Sequence, residues 1–530
     1  MNNKTIVLTL CLLLSSISAV AEDHHHDSDD RFRHVLLISV DGLHALDVAR
    51  FVADHPNSAL AELSQHGVTY TNARTPANSD SFPGLLALVT GGSPITHGLF
   101  YDVSYDRSYF DPTNTTCAGT PGNNMVFDES IDLYNTANIS FNVIDPTKLP
   151  RRIDGHGHCV PVFPHDAIKT NTIFEVVKSS GGRTAWADKH PAYDLVNGPS
   201  GTGVDDLFTP EITNVNGFDA TFSVVCTAEN DQLKVNAILN EIHGRRHDGA
   251  PGRGTPTVFG MNFQAVSVGQ KLAKDNSNGS CIDDTTFTGQ PGGYLDGDGT
   301  PTAVLAYGLG KTDEALRSMI NALKSQGIYD STLFIITSKH GQSPINPAKV
   351  NKPGHFADLV AALPDAGTNA GAIAIANAAN CSTGSCGFVQ DDDIALIWLQ
   401  DQSQTAAAAA YLNANAKALF IDDVIAGNEI KLKFNDPLKD RRTPDILVQP
   451  VYGTIYTTSG KKNAEHGGFS FGDTNVGLIV SNPHMRAATI KTPVATSQVA
   501  ATILESLGID PDALNSVRVE HTDVLPGLSH

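Results

Sequence analysis

Asp41, Ser81, His340 and His466 bring a carboxylate, a hydroxyl and two imidazoles to the chain, and Lys339 adds an amine beside the first imidazole. These types can supply a nucleophile, a proton carrier and fixed charge, the working parts of a hydrolytic site. Each also has a plainer reading. An Asp-Gly after a strand makes turns, a serine at a helix start caps the helix, and buried histidines can be purely structural. Lys339 is open to two roles: a base of depressed pKa for Ser81, or a filler that pairs with Asp41.

The elements that must position these residues can be read from the apolar pattern. Val35-Leu-Leu-Ile-Ser-Val runs into Asp41-Gly42, and Leu333-Phe-Ile-Ile-Thr-Ser runs into Lys339-His340-Gly341. Such runs suit strands buried on both faces of a parallel sheet, and open α/β sheets bind ligands at the carboxyl ends of such strands. Ser79-Asp80-Ser81-Phe82-Pro83-Gly84 leads into a helical stretch from Leu85 to Thr90. Ser81 therefore falls at a strand-to-helix turn, where backbone N–H groups face an anion. Arg183–Ala187 reads as a further strand, followed by Asp188, Lys189 and His190 as candidate substrate-binding residues.

Helical spacing over Ala45–His66, Thr172–Ser179 and Thr300–Gln326 alternates with strands at Gly67–Asn72 and Pro256–Phe263. The alternation defines an α/β fold with a doubly wound, mostly parallel sheet. Residues 101–165 are turn-rich and read as a surface excursion over the site. Between 343 and 461 the pattern changes to a strand at Asp393–Leu399, an Ala-rich helix at Thr405–Ala418 and a strand at Asp445–Gln449, an inserted α/β cap. The core then comprises 34–342 and 462–530.

Residues 1–21 have a basic start, an apolar stretch and the small-x-small pattern Ala19-Val20-Ala21, which marks a signal peptide. Residues 22–33, with His24-His25-His26 among acids, read as a flexible leader. No later segment reaches the roughly 18 apolar residues of a membrane span. Past Cys11 six cysteines remain, enough for three disulfides in a secreted or periplasmic protein, with Cys381 and Cys386 the favoured pair. A net charge of −21 argues against a nucleic-acid surface.

In their order, these strand-end residues resemble the alkaline phosphatase superfamily, and within it the type I phosphodiesterase/nucleotide pyrophosphatase and phosphonoacetate hydrolase-like members. The resemblance rests on Val40-Asp41-Gly42, on Ser81-Phe-Pro with Leu88-Val-Thr-Gly and Thr96-His-Gly, on Ser338-Lys-His-Gly and on His466-Gly-Gly. It implies an alkaline phosphatase-like fold in which a serine or threonine attacks phosphorus between two metal ions, normally zinc. It makes Ser81 the nucleophile and Asp41, His340 and His466 metal ligands. Three positions depart from the pattern. Lys339 replaces a ligand aspartate, while Val266 and Gln270 replace the aspartate and histidine of the second metal site. Valine cannot coordinate, glutamine is a weak ligand and an ammonium repels a divalent cation.

A standard two-zinc site is therefore not expected, and at most one divalent metal is. The resemblance implies an exported hydrolase of phosphate esters or related anions, with Ser81 as nucleophile, Lys339, His340 and His466 beside it, and an atypical or absent metal site. Two alternatives stand: a pseudoenzyme or binding protein on the same scaffold, and a metal-independent Ser-Lys hydrolase of another substrate class. In each the partner is a small anionic substrate or ligand.

Overall fold

The computed structural model describes residues 32–76, 78–133, 143–214, 218–276, 285–381 and 385–528. The expected signal peptide and all of the expected leader up to residue 31 lie outside them. Phe32 and Arg33 are tied to the fold by backbone bonds to Ser506 and Ser331.

Side-chain alternation along the first strand decides the layering. In β1 (His34–Val40), Val35 and Leu37 point into a core shared with Leu85, Phe174 and Val499, whereas Leu36, Ile38 and Val40 join Ile238, Leu316 and Met319 on the other face. Helices Ser81–Thr90, Ile173–Ser179 and Gln498–Ser506 cover the first face, and helices Val224–Ile242 and Ala303–Ser325 the second. The sheet continues through β2 (Gly67–Arg74), β3 (Thr184–Ala187), β4 (Asp206–Phe208), β5 (Val258–Phe263), β6 (Thr332–Thr337), β7 (Asn475–Ser481), β8 (Ala488–Ile490) and β9 (Val494–Ala495). Its order is β8-β2-β7-β6-β1-β5-β3-β4, with β9 also on β2. The run β6-β1-β5-β3-β4 is parallel, and β7 is antiparallel to both β6 and β2. The fold is thus the doubly wound, mostly parallel α/β architecture.

Register brings the chemistry together. Ser39 of β1 pairs with Thr337 of β6, and Val40 pairs with Phe263 of β5, so Asp41, Ser338 and Gln264 leave the sheet side by side. Gly260 permits this tight pairing, because a Cβ there would lie 1.8 Å from the Leu37 carbonyl oxygen.

A separate four-stranded antiparallel sheet has the order Gly387–Asp391, Ala395–Leu399, Ile446–Pro450, Ile421–Ala426. Helices Phe356–Ala361, Ala370–Ala379 and Thr405–Ala414 pack on one of its faces, and Phe100, Tyr101 and Tyr105 on the other. The Ala-rich helix ends four residues earlier than its composition suggests, capped at Asn415. The stretch Ala45–His66 is two helices, Ala45–Asp54 and Ala59–Gln65, divided at His55-Pro56, where proline excludes the helical conformation before it. The excursion contains two ribbons, Val103–Asp106 with Asn123–Val126 and Arg151–Ile153 with Cys159–Pro161. Disulfides join Cys117 to Cys159 and Cys381 to Cys386, and Cys226 is also disulfide-bonded.

Candidate active site

Ser81 is the first residue of its helix, and Asp80 caps it by accepting the Phe82 N–H at 3.0 Å. Gly84 lets this helix press against the end of β6. A Cβ at Gly84 would lie 1.9 Å from the Lys339 carbonyl oxygen. That contact sets Ser81 Oγ 3.2 Å from His340 Nε2. The other ring nitrogen of His340, Nδ1, lies 2.8 Å from the Gly341 carbonyl oxygen. A carbonyl can only accept, so Nδ1 carries the hydrogen and Nε2 offers its lone pair to the serine hydroxyl. Burial pushes the His340 pKa down, partly offset by Asp41, which keeps the ring neutral.

Lys189 stands on the opposite side of the hydroxyl. Its ammonium donates to Asp41 Oδ2 at 3.2 Å, to Gln264 Oε1 at 3.2 Å and to Ser81 Oγ at 3.5 Å. Asp41 is wholly buried and also accepts from Gln264 Nε2 and from Asn262 Nδ2. Burial favours its protonation, but Lys339, Lys189 and His340 outweigh that and hold the carboxyl well below the usual range. Burial likewise opposes the charge on Lys189, and Asp41 with Asp188 more than restores it, so its pKa is raised.

Lys339 is not paired with Asp41 as one sequence reading has it. Its Nζ donates to both Asp188 oxygens at 3.0 Å and sits 3.9 Å above the centre of the Tyr193 ring. No hydrogen bond joins it to Ser81 among the described residues, so the Ser-Lys pairing falls to Lys189. Burial lowers the Lys339 pKa, with Asp188 and Asp41 opposing.

His466 packs against His340 at a tilt of 32° with ring centres 3.8 Å apart, and its Nδ1 is 3.5 Å from Asp80 Oδ1. Burial, then the neighbouring His340, holds its pKa well below the ordinary value. Burial first raises three neighbouring carboxyls, Asp80 to about 6, Asp392 to about 7 and Asp102 to about 8.

The fold brings Asp41, Ser81, Asp188, Lys189, Lys339, His340 and His466 together. His190 turns away to Glu211, at 2.8 Å. Val266 is packed in the core with Leu305 and Phe263. Gln270 faces the carbonyl of Gly42 and the Asp47–Tyr294 pair instead of Asp41. Gln264, Asn262 and Tyr193 were not anticipated. Gln264 is anchored by Asp231, whose carboxylate accepts the N–H groups of Gln264 and Ala265 and pairs with buried Lys234 at 2.9 Å. Among the described residues, no three His, Cys, Asp or Glu side chains are grouped to hold a metal ion.

Strand order and layering give the α/β fold of the alkaline phosphatase superfamily. The chain belongs to the type I phosphodiesterase / nucleotide pyrophosphatase family, whose model matches residues 35–136 and 297–471. It is by that membership a phosphoester hydrolase. Its fold is similar to that of murine ectonucleotide pyrophosphatase/phosphodiesterase 5, an inactive variant in complex with AMP, at 13% identity and TM-score 0.53, covering 90% of this chain and 96% of that one. The human protein of the same name gives 14% identity and TM-score 0.51 over 90% and 95%. The alkaline phosphatase PafA gives 11% and 0.57 over 91% and 96%. No curated protein matches the sequence.

Proposed function

We propose that the chain is an exported phosphoester hydrolase that uses Ser81 as nucleophile, with lysine ammoniums standing where its family holds zinc. One observation carries the reading: the Ser81 hydroxyl lies between an unprotonated imidazole nitrogen and an ammonium. Ser81 Oγ would bond to phosphorus as the ester P–O bond breaks. Its proton passes to His340 Nε2 and from there to the departing oxygen, and water then cleaves the phosphoserine with the same base. Lys189 faces the charge that grows on the phosphoryl oxygens.

The side chains present do not fit a zinc pair. Lys189 holds the Asp41 oxygen that would face a metal, Lys339 adds a second cation, and Val266 and Gln270 are directed elsewhere. No step of the proposal runs through a metal. Two ammoniums give half the charge of two zinc ions, so the site suits a reaction that needs less charge neutralisation, such as diester cleavage.

Residues 343–461 would act as a cap over this site. Tyr101 Oη lies within hydrogen-bond distance of Asp392 at 2.8 Å and of the His466 carbonyl oxygen at 3.1 Å, tying excursion, four-stranded sheet and His466 turn into one rim. Disulfides suit the oxidising compartment that the N-terminal pattern implies. The test is hydrolysis of a panel of chromogenic phosphodiesters and monoesters, with a nucleotide diester included, by wild type and Ser81→Ala, each with and without chelator. Turnover lost in Ser81→Ala and indifferent to chelator is expected. Turnover that chelator abolishes would restore the metal, and turnover that persists in Ser81→Ala would remove the nucleophile.

A further inference from the structure

A cleft of about 760 Å³ opens between the excursion and the segment leading into Ile446–Pro450, and none of its lining residues belongs to the set around Ser81. Arg107, Arg152, Lys169, Lys439, Arg441 and Arg442 line it with two acids, Asp106 and Asp440, while Asp445 and Asp166 behind the lining pair with Arg107 and Arg152, so an excess of positive charge remains on a chain of net charge −21. Such a local reversal of sign concentrates anions at one place.

The floor is rigid. Arg442 is buried, and its guanidinium donates to Asp106 at 2.6 Å, to Tyr109 Oη at 2.6 Å and to the Gly98 carbonyl at 3.3 Å. The walls are exchangeable. Arg152 and Lys169 are partly exposed, and each has one carboxylate partner, Asp166 at 2.9 Å and Asp440 at 3.2 Å. Exposed pairs of this kind are weak, so a bound anion can compete for either cation at little cost. Lys439 and Arg441 are exposed and make no ion pair among the described residues. Buried His97 reports the local field: burial first, then Lys169 and Arg442, push it down to about 3.

We propose that this cleft binds an anion carrying two or more phosphate or sulfate groups, at a site separate from that of Ser81. The anion could be soluble or displayed on lipid headgroups, and the same chemistry serves both. Binding of inorganic tripolyphosphate to the Ser81→Ala protein, followed by calorimetry, tests the idea without turnover. Saturable binding that weakens as salt is raised is expected. Lys439→Glu with Arg441→Glu should weaken it about tenfold or more, while the same pair in the wild-type background leaves ester hydrolysis unchanged. Sedimentation with phosphatidylcholine vesicles containing cardiolipin, whose headgroup carries two phosphates, separates the sources. Vesicle binding displaced by tripolyphosphate assigns headgroups, and tripolyphosphate binding alone assigns a soluble anion. No saturable tripolyphosphate binding, or binding that survives both reversals, overturns the proposal.

Discussion

Lys189 shares its protons among a carboxylate, an amide and the serine oxygen, so removing it leaves Asp41 buried without its nearest cation. Lys189→Met keeps the length and deletes the charge. A fall in kcat/KM of about a hundredfold or more is expected, about 3 kcal/mol of transition-state stabilisation, and a smaller one for Lys339→Met, which is bonded to Asp188 rather than to the serine. Steady-state kinetics on one chromogenic ester checks both, and an unchanged Lys189→Met enzyme would take the ammonium out of the mechanism. The pH profile follows from the same pair. In the proposed mechanism His340 works unprotonated, and its pKa is lowered from 6.5, so the acid limb of kcat/KM belongs below 6.5. Lys189 works protonated and its pKa is raised from 10.5, so its loss of charge lies above 10.5. Activity that rises only above neutrality would point to a different base. Asp41 and His340 are legible in the sequence because they follow apolar strand runs, and Ser81 because it opens an apolar helix after a polar turn. Gln264, Asn262 and Tyr193 are uncharged residues in ordinary contexts; only the register of β5 against β1 gives the first two a role, and only the turn after β3 brings in Tyr193. Two lysines at neighbouring strand ends also carry no cue as to which carboxylate each will take, which is why Lys189 holds the Asp41 carboxylate that one reading gives to Lys339.

At the scale of elements, the distance from nucleophile to base is set by a glycine. Gly84→Ala would put a methyl group into the Lys339 backbone, so the Ser81 helix must back away from β6. A loss of about 1–3 kcal/mol in stability is expected, together with a fall in kcat larger than the change in KM, because the Ser81–His340 contact opens while the outer binding surfaces stay put. Thermal denaturation and kinetics on the same preparation check this, and a fully active, equally stable variant would contradict the packing argument. β1 and β6 are legible as continuous apolar runs. The direction of β7 is not, since Asn475–Ser481 is as apolar as the parallel strands and periodicity carries no polarity. The ribbons of the excursion escape notice because strands of three or four residues are too short to establish an alternation.

Over the whole molecule, layering is readable from the alternation of strand and helix, whereas in the four-stranded sheet only the first pair is a local hairpin, and the places of Ile446–Pro450 and Ile421–Ala426 depend on long connections that leave no local trace. The disulfides act at this scale. Cys117–Cys159 spans 42 positions and Cys381–Cys386 only 5. Chain entropy assigns about 4 kcal/mol to the longer loop and about 2 kcal/mol to the shorter. Replacing Cys117 and Cys159 by serine should therefore lower the calorimetric midpoint more than replacing Cys381 and Cys386, and the reverse ranking would show that loop closure is not the dominant effect. The central strand has a further consequence. His34 of β1 pairs with Thr332 of β6, and the imidazole packed against His340 comes from position 466. Contacts this distant in sequence make folding slow. They also impose an order of arrival: a ribosome delivers the serine long before the base that activates it. Nascent chains and fragments cut before His340 are therefore inert, and hydrolysis begins only with the finished polypeptide.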